Sequence, residues 1–210
     1  MAVWGVVVAG GSGSRFGLAK QFVEMGDRRL VDRAVAVATR SCDAVVVVVP
    51  AGTEWDGPTV ECTVQGGETR AESVRSGLAV VPDDVEVIVV HDAARPLASD
   101  ALFASVIDAV RRGADAAVPG IVPADTVKRV RDDRVIETLD RDTLIMAQTP
   151  QAFRAGALRA AHARDEEATD DAGLVERDGG TVVVVAGEPR NVKVTTADDL
   201  RVAASLDLDA

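Results

Sequence analysis

The sequence predicts an α/β protein with an open, mostly parallel sheet and helices on both faces. Three observations carry this. Valine-rich runs recur at Val3–Val8, Ala44–Val49, Val85–Val90 and Thr181–Val185. They are continuous rather than alternating, as strands buried on both faces are. Helical patterns fall between them, and that alternation implies right-handed βαβ units.

Taken in order, the first run empties into Gly10, Gly11, Gly13 and Gly17, with Arg15 and Lys20 threaded among them. A helix follows over Leu30–Thr39, and the second strand ends at Pro50-Ala51. Gly66-Gly67 precedes a helix over Ala71–Val80. The third strand delivers Asp92 at its carboxyl edge, where sheets of this kind gather ligands. The helix Ala101–Arg112 has Ser99 or Asp100 as N-cap and Gly113 as stop. Thr126–Leu139 carries two β-branched runs around Asp132-Asp133 and reads as a hairpin, polar on both sides. It is equally readable as a surface hairpin or as an arm that grips a second subunit. A helix over Gly156–Arg164 and the last valine run follow; "NVKVTTADDL" then reads as a strand ending at Lys193 and a capped helix. We expect one domain over 1–210, with the arm at about 122–140.

Composition excludes several functions. Hydrophobic residues make up 47% but aromatics only 3%, so the core is built from Val, Ala, Leu and Ile. A net charge of −11 opposes binding to nucleic acid or an anionic membrane. No apolar run approaches the roughly 20 residues of a membrane span, and no basic segment precedes an apolar one at the N-terminus. Cys42 and Cys62 fit reduced thiols, and the expected compartment is the cytoplasm.

The glycine loop meets neither familiar nucleotide motif. From Gly11 the spacing is G-x-G-x-x-x-G, one residue longer than the dinucleotide fingerprint, and no ribose-binding acid follows the second strand. Phe16 and Leu18 stand where a P-loop needs glycine. Its chemistry still suits an anion. Glycines let backbone N–H groups crowd a phosphate, Arg15 offers a planar fork and Lys20 a mobile point charge. Only three of the 23 basic residues are lysine: Lys20, Lys128 and Lys193. Asp92, in "HDAARP", is the kind of lone carboxylate that holds Mg²⁺ against phosphates, with Arg95 close enough to serve a second anion. His91 reads as an imidazole hydrogen-bonded at a strand end; no zinc spacing or nucleophile elbow exists.

"AGGSGSRFGLAKQ", "GGETRAESV", "HDAARP", "ADTVKR", "LDRDTLIMAQTPQAF", "TDDA" and "NVKVT" occur in that order, almost end to end. In this the chain resembles the 2-C-methyl-D-erythritol 4-phosphate cytidylyltransferases of the non-mevalonate isoprenoid pathway. The resemblance implies a Rossmann-like fold, a homodimer formed through the β-arm, and Mg²⁺-dependent transfer of a cytidylyl group from CTP to methylerythritol phosphate. It implies that Ala9, Gly10, Gly11, Gly67, Ser73 and Ala93 bind the nucleotide. Arg15, Lys20 and Lys193 then carry catalysis, the first two on the triphosphate. Asp92, Arg95, Thr126, Arg141, Thr149, Thr169 and Lys193 match the acceptor site, with Asp92 also at the metal and Arg141 inserted from the neighbouring subunit. Two positions depart from the pattern: Ala19 replaces the usual proline before Lys20, and Glu68 replaces a shorter residue after the glycines. The nearest alternative is a relative that activates ribitol 5-phosphate with CTP, which shares the nucleotide half.

Overall fold

The structure is a computed structural model that describes residues 1–10, 20–164 and 168–208, with Lys20 described by its backbone alone. In chain order the strands are β1 (Val3–Val8), β2 (Glu24–Met25), β3 (Arg28–Arg29), β4 (Ala44–Val49), β5 (Cys62–Gln65), β6 (Val87–Asp92), β7 (Ala116–Ile121), β8 (Lys128–Arg131), β9 (Arg134–Thr138), β10 (Met146–Ala147), β11 (Gln151–Arg154) and β12 (Val182–Ala186). The α-helices are α1 (Leu30–Ser41), α2 (Arg70–Leu78), α3 (Asp100–Arg111), α4 (Ala155–His162), α5 (Asp171–Arg177) and α6 (Ala197–Leu208).

Eight strands form the main sheet, in the order β10-β7-β11-β6-β1-β4-β5 with β12 paired to β7. The pairs β1/β4, β1/β6, β4/β5 and β7/β12 are parallel, while β11 runs antiparallel to both β6 and β7. The continuous valine runs have the expected cause. Val7, Val45, Val47, Val87 and Val89 point into one core with α1 and α3. Val6, Val46, Val48, Ile88 and Val90 point into the other with α2, α4 and α5. Both faces of the central strands are dry, so no position is left for a polar residue until the strand ends.

Several boundaries differ from expectation. The third strand is Val87–Asp92, two residues later than the valine run, so His91 and Asp92 lie within the ladder opposite Val7 and Val8. Strand β7 was not legible, because Pro119 and Gly120 mimic a turn. Lys193 does not end a strand. Val192 and Val194 alternate like strand residues, but Val194 N–H donates to Ala94 C=O outside any strand, while its side chain packs with Met25 and Leu30. The helix after it does form, with Asp199 N–H donating to Thr196 Oγ1 at 3.2 Å. The hairpin forms as expected: β8 and β9 pair antiparallel, and Asp132 and Asp133 take φ of 48° and 60°. Two successive positive φ values make the turn that matches strand twist, and Asp tolerates them better than most side chains.

Helix α2 lies against the sheet with almost nothing between. A Cβ on Gly77 would come 2.5 Å from Val6 Cγ1 and 3.1 Å from Val48 Cγ2. Alanine there gains about 1 kcal/mol of helix propensity, yet overpacking beside two fully buried β-branched side chains costs about 1–3 kcal/mol. Gly77→Ala is therefore expected to lower stability, and a urea midpoint at or above that of wild type would contradict this.

Candidate active site

The site forms at the carboxyl ends of β1 and β6. The first cavity is lined by Val8, Ala9, Gly10 and Gln21 on one side, Glu68, Thr69, Arg70 and Ser73 on another, and Asp92, Ala93, Ala94 and Lys193 at its base. A second cavity is lined by Arg70, Asp92, Arg95, Ala147, Gln148, Thr149, Gln151, Thr169, Asp170 and Lys193. Arg70, Asp92 and Lys193 belong to both, so these three side chains form the common wall.

That wall is an ion-pair chain. Lys193 Nζ donates to Asp92 Oδ2 at 2.7 Å, and Arg70 Nε donates to Asp92 Oδ1 at 3.1 Å. Burial works against the Asp92 charge, but Arg70, Lys193 and Arg95 together outweigh it and hold the carboxyl well below the usual carboxylate range. Asp92 is therefore ionised at any working pH. Among the described residues, Oδ1 accepts from Arg70 and Oδ2 from Lys193.

The sequence elements position each group for identifiable reasons. Helix α2 begins with a capping box: Glu72 N–H donates to Thr69 Oγ1 at 3.1 Å, while Glu72 Oε2 accepts from Thr69 N–H at 3.0 Å and Glu68 N–H at 2.6 Å. This fixes Arg70, the first helical residue. It also explains Gly67, whose Cβ would lie 2.3 Å from Glu72 Cβ. Gly67 is exposed and is not among the residues lining the cavity; what the structure shows of it is this backbone requirement of the cap. Ser73 does line it, and its hydroxyl donates to Thr69 C=O at 3.0 Å. Side chains on Gly10 and Gly66 would meet that hydroxyl at 2.8 and 2.7 Å.

His91 organises the second cavity from beneath. Its Nε2 lies 3.2 Å from the Arg95 carbonyl, which can only accept, so Nε2 carries the proton. Nδ1 then accepts from Thr149 Oγ1 at 3.2 Å, and that oxygen accepts Asp92 N–H at 3.0 Å. The Thr149 proton is thus engaged within the fold. Arg95 is buried and donates to Asn191 C=O at 2.7 Å and to Ala147 C=O at 3.3 Å.

The structure thus brings together Ala9, Gly10, Ser73, Asp92, Ala93, Arg95, Thr149, Thr169 and Lys193. Gly11 and Arg15 lie outside the described residues, as does the Lys20 side chain. Thr126 and Arg141 line neither cavity. Both are exposed at the base of the arm, where Arg141 Nη1 donates to Ala124 C=O at 2.5 Å. Within one chain they are not part of the site. Sequence reading missed Arg70, Asp171, Gln148 and Asn191. The capping signature Thr69-x-x-Glu72 could have fixed Arg70 at a helix start facing the sheet edge; nothing local marks the others. Among the described residues no group of three His, Cys, Asp or Glu side chains could hold a metal. Asp92 is the carboxylate common to both cavities, with Glu68 lining the first and Asp170 the second, and Mg²⁺ bound by one carboxylate takes its remaining oxygens from phosphates and water.

Residues 3–206 match the family model described as "IspD: 2-C-methyl-D-erythritol 4-phosphate cytidylyltransferase". The chain is 44% identical to the 2-C-methyl-D-erythritol 4-phosphate cytidylyltransferase of Nocardia farcinica, covering 98% of this chain and 94% of that one. It is 45% identical to a bifunctional IspD/IspF enzyme of Anaeromyxobacter dehalogenans over 97% of this chain, and spans 56% of that relative's length. The crystal structure of the Thermus thermophilus cytidylyltransferase superposes with a TM-score of 0.84 at 33% identity, covering 97% and 98% of the two chains.

Burial pushes the His91 pKa down from 6.5 to about 4. Between those values the unfolded chain binds the proton and the folded chain excludes it. Stability is therefore expected to fall as pH is lowered through that window, by up to about 1.4 kcal/mol per unit. Urea midpoints at several pH values should show this slope, and His91→Gln should flatten it; an unchanged slope in the variant would remove His91 as its source.

Proposed function

The chain belongs to the 2-C-methyl-D-erythritol 4-phosphate cytidylyltransferase family, and on that premise we propose that it joins CTP and 2-C-methyl-D-erythritol 4-phosphate into 4-diphosphocytidyl-2-C-methyl-D-erythritol, releasing pyrophosphate. The observation that carries the reading is the shared wall: two cavities meet at Arg70, Asp92 and Lys193, as two reactants meeting at one phosphorus require.

The nucleophile is a phosphate monoester, largely dianionic near neutrality because its second pKa is about 6. A phosphate oxygen attacks the α-phosphorus of CTP, the new O–P bond forms, and the bond to the β-phosphate oxygen breaks in line. No general base is needed, consistent with a buried, neutral His91. The difficulty is repulsion between two anions. Arg15 and Lys20 take the triphosphate, while Lys193 and Arg95 face the acceptor phosphate. Mg²⁺, held by Asp92, would supply charge neutralisation there. The ribitol-phosphate alternative is not favoured, because the family model and the named relatives agree on methylerythritol phosphate.

The proposal extends to a homodimer working in the cytoplasm. Val130, Val135 and Ile136 on the arm are 55%, 60% and 50% exposed, and Val122, Ile145 and Met146 near its base are 51%, 42% and 52% exposed. A two-stranded ribbon with this much bare apolar surface is marginal alone. A second copy that covers it would also bring Thr126 and Arg141 toward a site that one chain does not give them. No helix among the described residues is long and apolar enough to cross a membrane.

A pyrophosphate-release assay crossing four nucleoside triphosphates with methylerythritol and ribitol phosphates tests the reading. We expect release with CTP and methylerythritol phosphate alone, falling about 10²–10³-fold in Arg15→Ala and Lys20→Ala with folding retained. Equal turnover of ribitol phosphate, or unchanged turnover in either variant, would overturn it. Separately, Val135→Glu with Ile136→Glu is expected to convert a dimer to a monomer by sedimentation; a wild-type monomer at micromolar concentration sinks that part.

A further inference from the structure

The ion-pair chain at the shared wall continues inward. Arg70 uses Nε on Asp92, and its Nη1 donates to Asp171 Oδ2 at 2.7 Å. The other oxygen of Asp171, Oδ1, lies 3.0 Å from His162 Nε2. Asp171 is 1% exposed and His162 4%. No cavity of the site includes either residue. The full series is therefore His162, Asp171, Arg70, Asp92 and Lys193, drawn from α4, α5, α2, β6 and the segment before α6.

A buried carboxylate that lines neither cavity is costly unless paired, and a hydrophobic residue could have filled the space. What Asp171 does is constrain a guanidinium. With one carboxylate partner, Arg70 could pivot about its ion pair. With carboxylates on two of its nitrogens, its plane is fixed, and so is the Asp92 carboxylate that accepts from it. Asp92 in turn holds Lys193, whose side chain is 43% exposed and has Asp92 as its ion-pair partner among the described residues.

We propose that Asp171, braced by His162, is a positioning residue: it fixes Arg70 on Asp92 and thereby sets where Lys193 stands at the wall between the two cavities. This rests on the cytidylyl-transfer reading for its consequence in turnover, but the geometric part does not. Lysine at position 70 should fail to substitute, because a point charge cannot bridge two carboxylates as a fork does.

Two measurements on the full chain test it. The first needs no activity. The protein has three lysines, so a lysine-labelled sample gives three side-chain Cε signals, and that of Lys193 is assigned with Lys193→Arg. Asp171→Asn is expected to shift the Lys193 signal while that of Lys128 on the arm stays in place; an unmoved Lys193 signal overturns the proposal. The second is a double-mutant cycle on kcat/KM for the acceptor. Asp171→Asn should lower it at least tenfold in wild type and less than twofold in an Arg70→Ala background, with Arg70→Lys no better than Arg70→Ala. Equal losses in both backgrounds mean that Asp171 acts by another route and overturn the relay. If wild type itself releases no pyrophosphate, the functional reading fails, while the lysine spectrum still decides the relay.

Discussion

A single ionised carboxylate organises this molecule's chemistry. Asp92 sits at the end of a strand whose every residue is buried, so its charge cannot be left to water. It persists because cations arrive from distant parts of the chain, Arg70 from the start of one helix and Lys193 from an irregular segment 101 residues beyond Asp92. The Coulomb attraction offsets desolvation only when both stay in place. The same three side chains form the boundary between the cavities. Electrostatic satisfaction of the fold and placement of the reactive wall are thus one requirement.

Much of this was legible in sequence, and the reason is physical. Strands dry on both faces must read as continuous valine, and Asp92 stands out because it is the first charge after such a run. Of the cavity-lining positions, Gly10 and Arg95 could be read from local chemistry, while Ala9, Ser73, Ala93, Thr149, Thr169 and Lys193 came from motif order. What stayed hidden depends on tertiary pairing. Asp171 looks like one more acidic helix start beside Asp170, and only the fold shows that it faces Arg70. Lys193 sits in a stretch that alternates like a strand, since Val192 and Val194 must reach a small core, yet no ladder among the described residues receives it. The close approach of Glu72 to Gly67 is likewise invisible until the capping box is seen in three dimensions.

The arm follows a different logic from the rest. Its sequence carries β-branched residues on a ribbon with no core beneath, and its tip is set by two aspartates with positive φ rather than by glycine. Such an element is specified locally but not stabilised locally. Its base carries Thr126 and Arg141, both exposed and outside the two cavities of the single chain.

Helix α2 joins two features that lie at its opposite ends. Arg70 opens it and Gly77 lets it rest on Val6 and Val48, seven residues and about 10 Å along the same rod. A rod held at its tail transmits a tilt to its head. The close spacing of helix and sheet that Gly77 permits is therefore part of the frame in which Arg70 meets Asp92. Repacking in the interior, with no charged atom touched, becomes a lever on the ion-pair chain at the cavity wall.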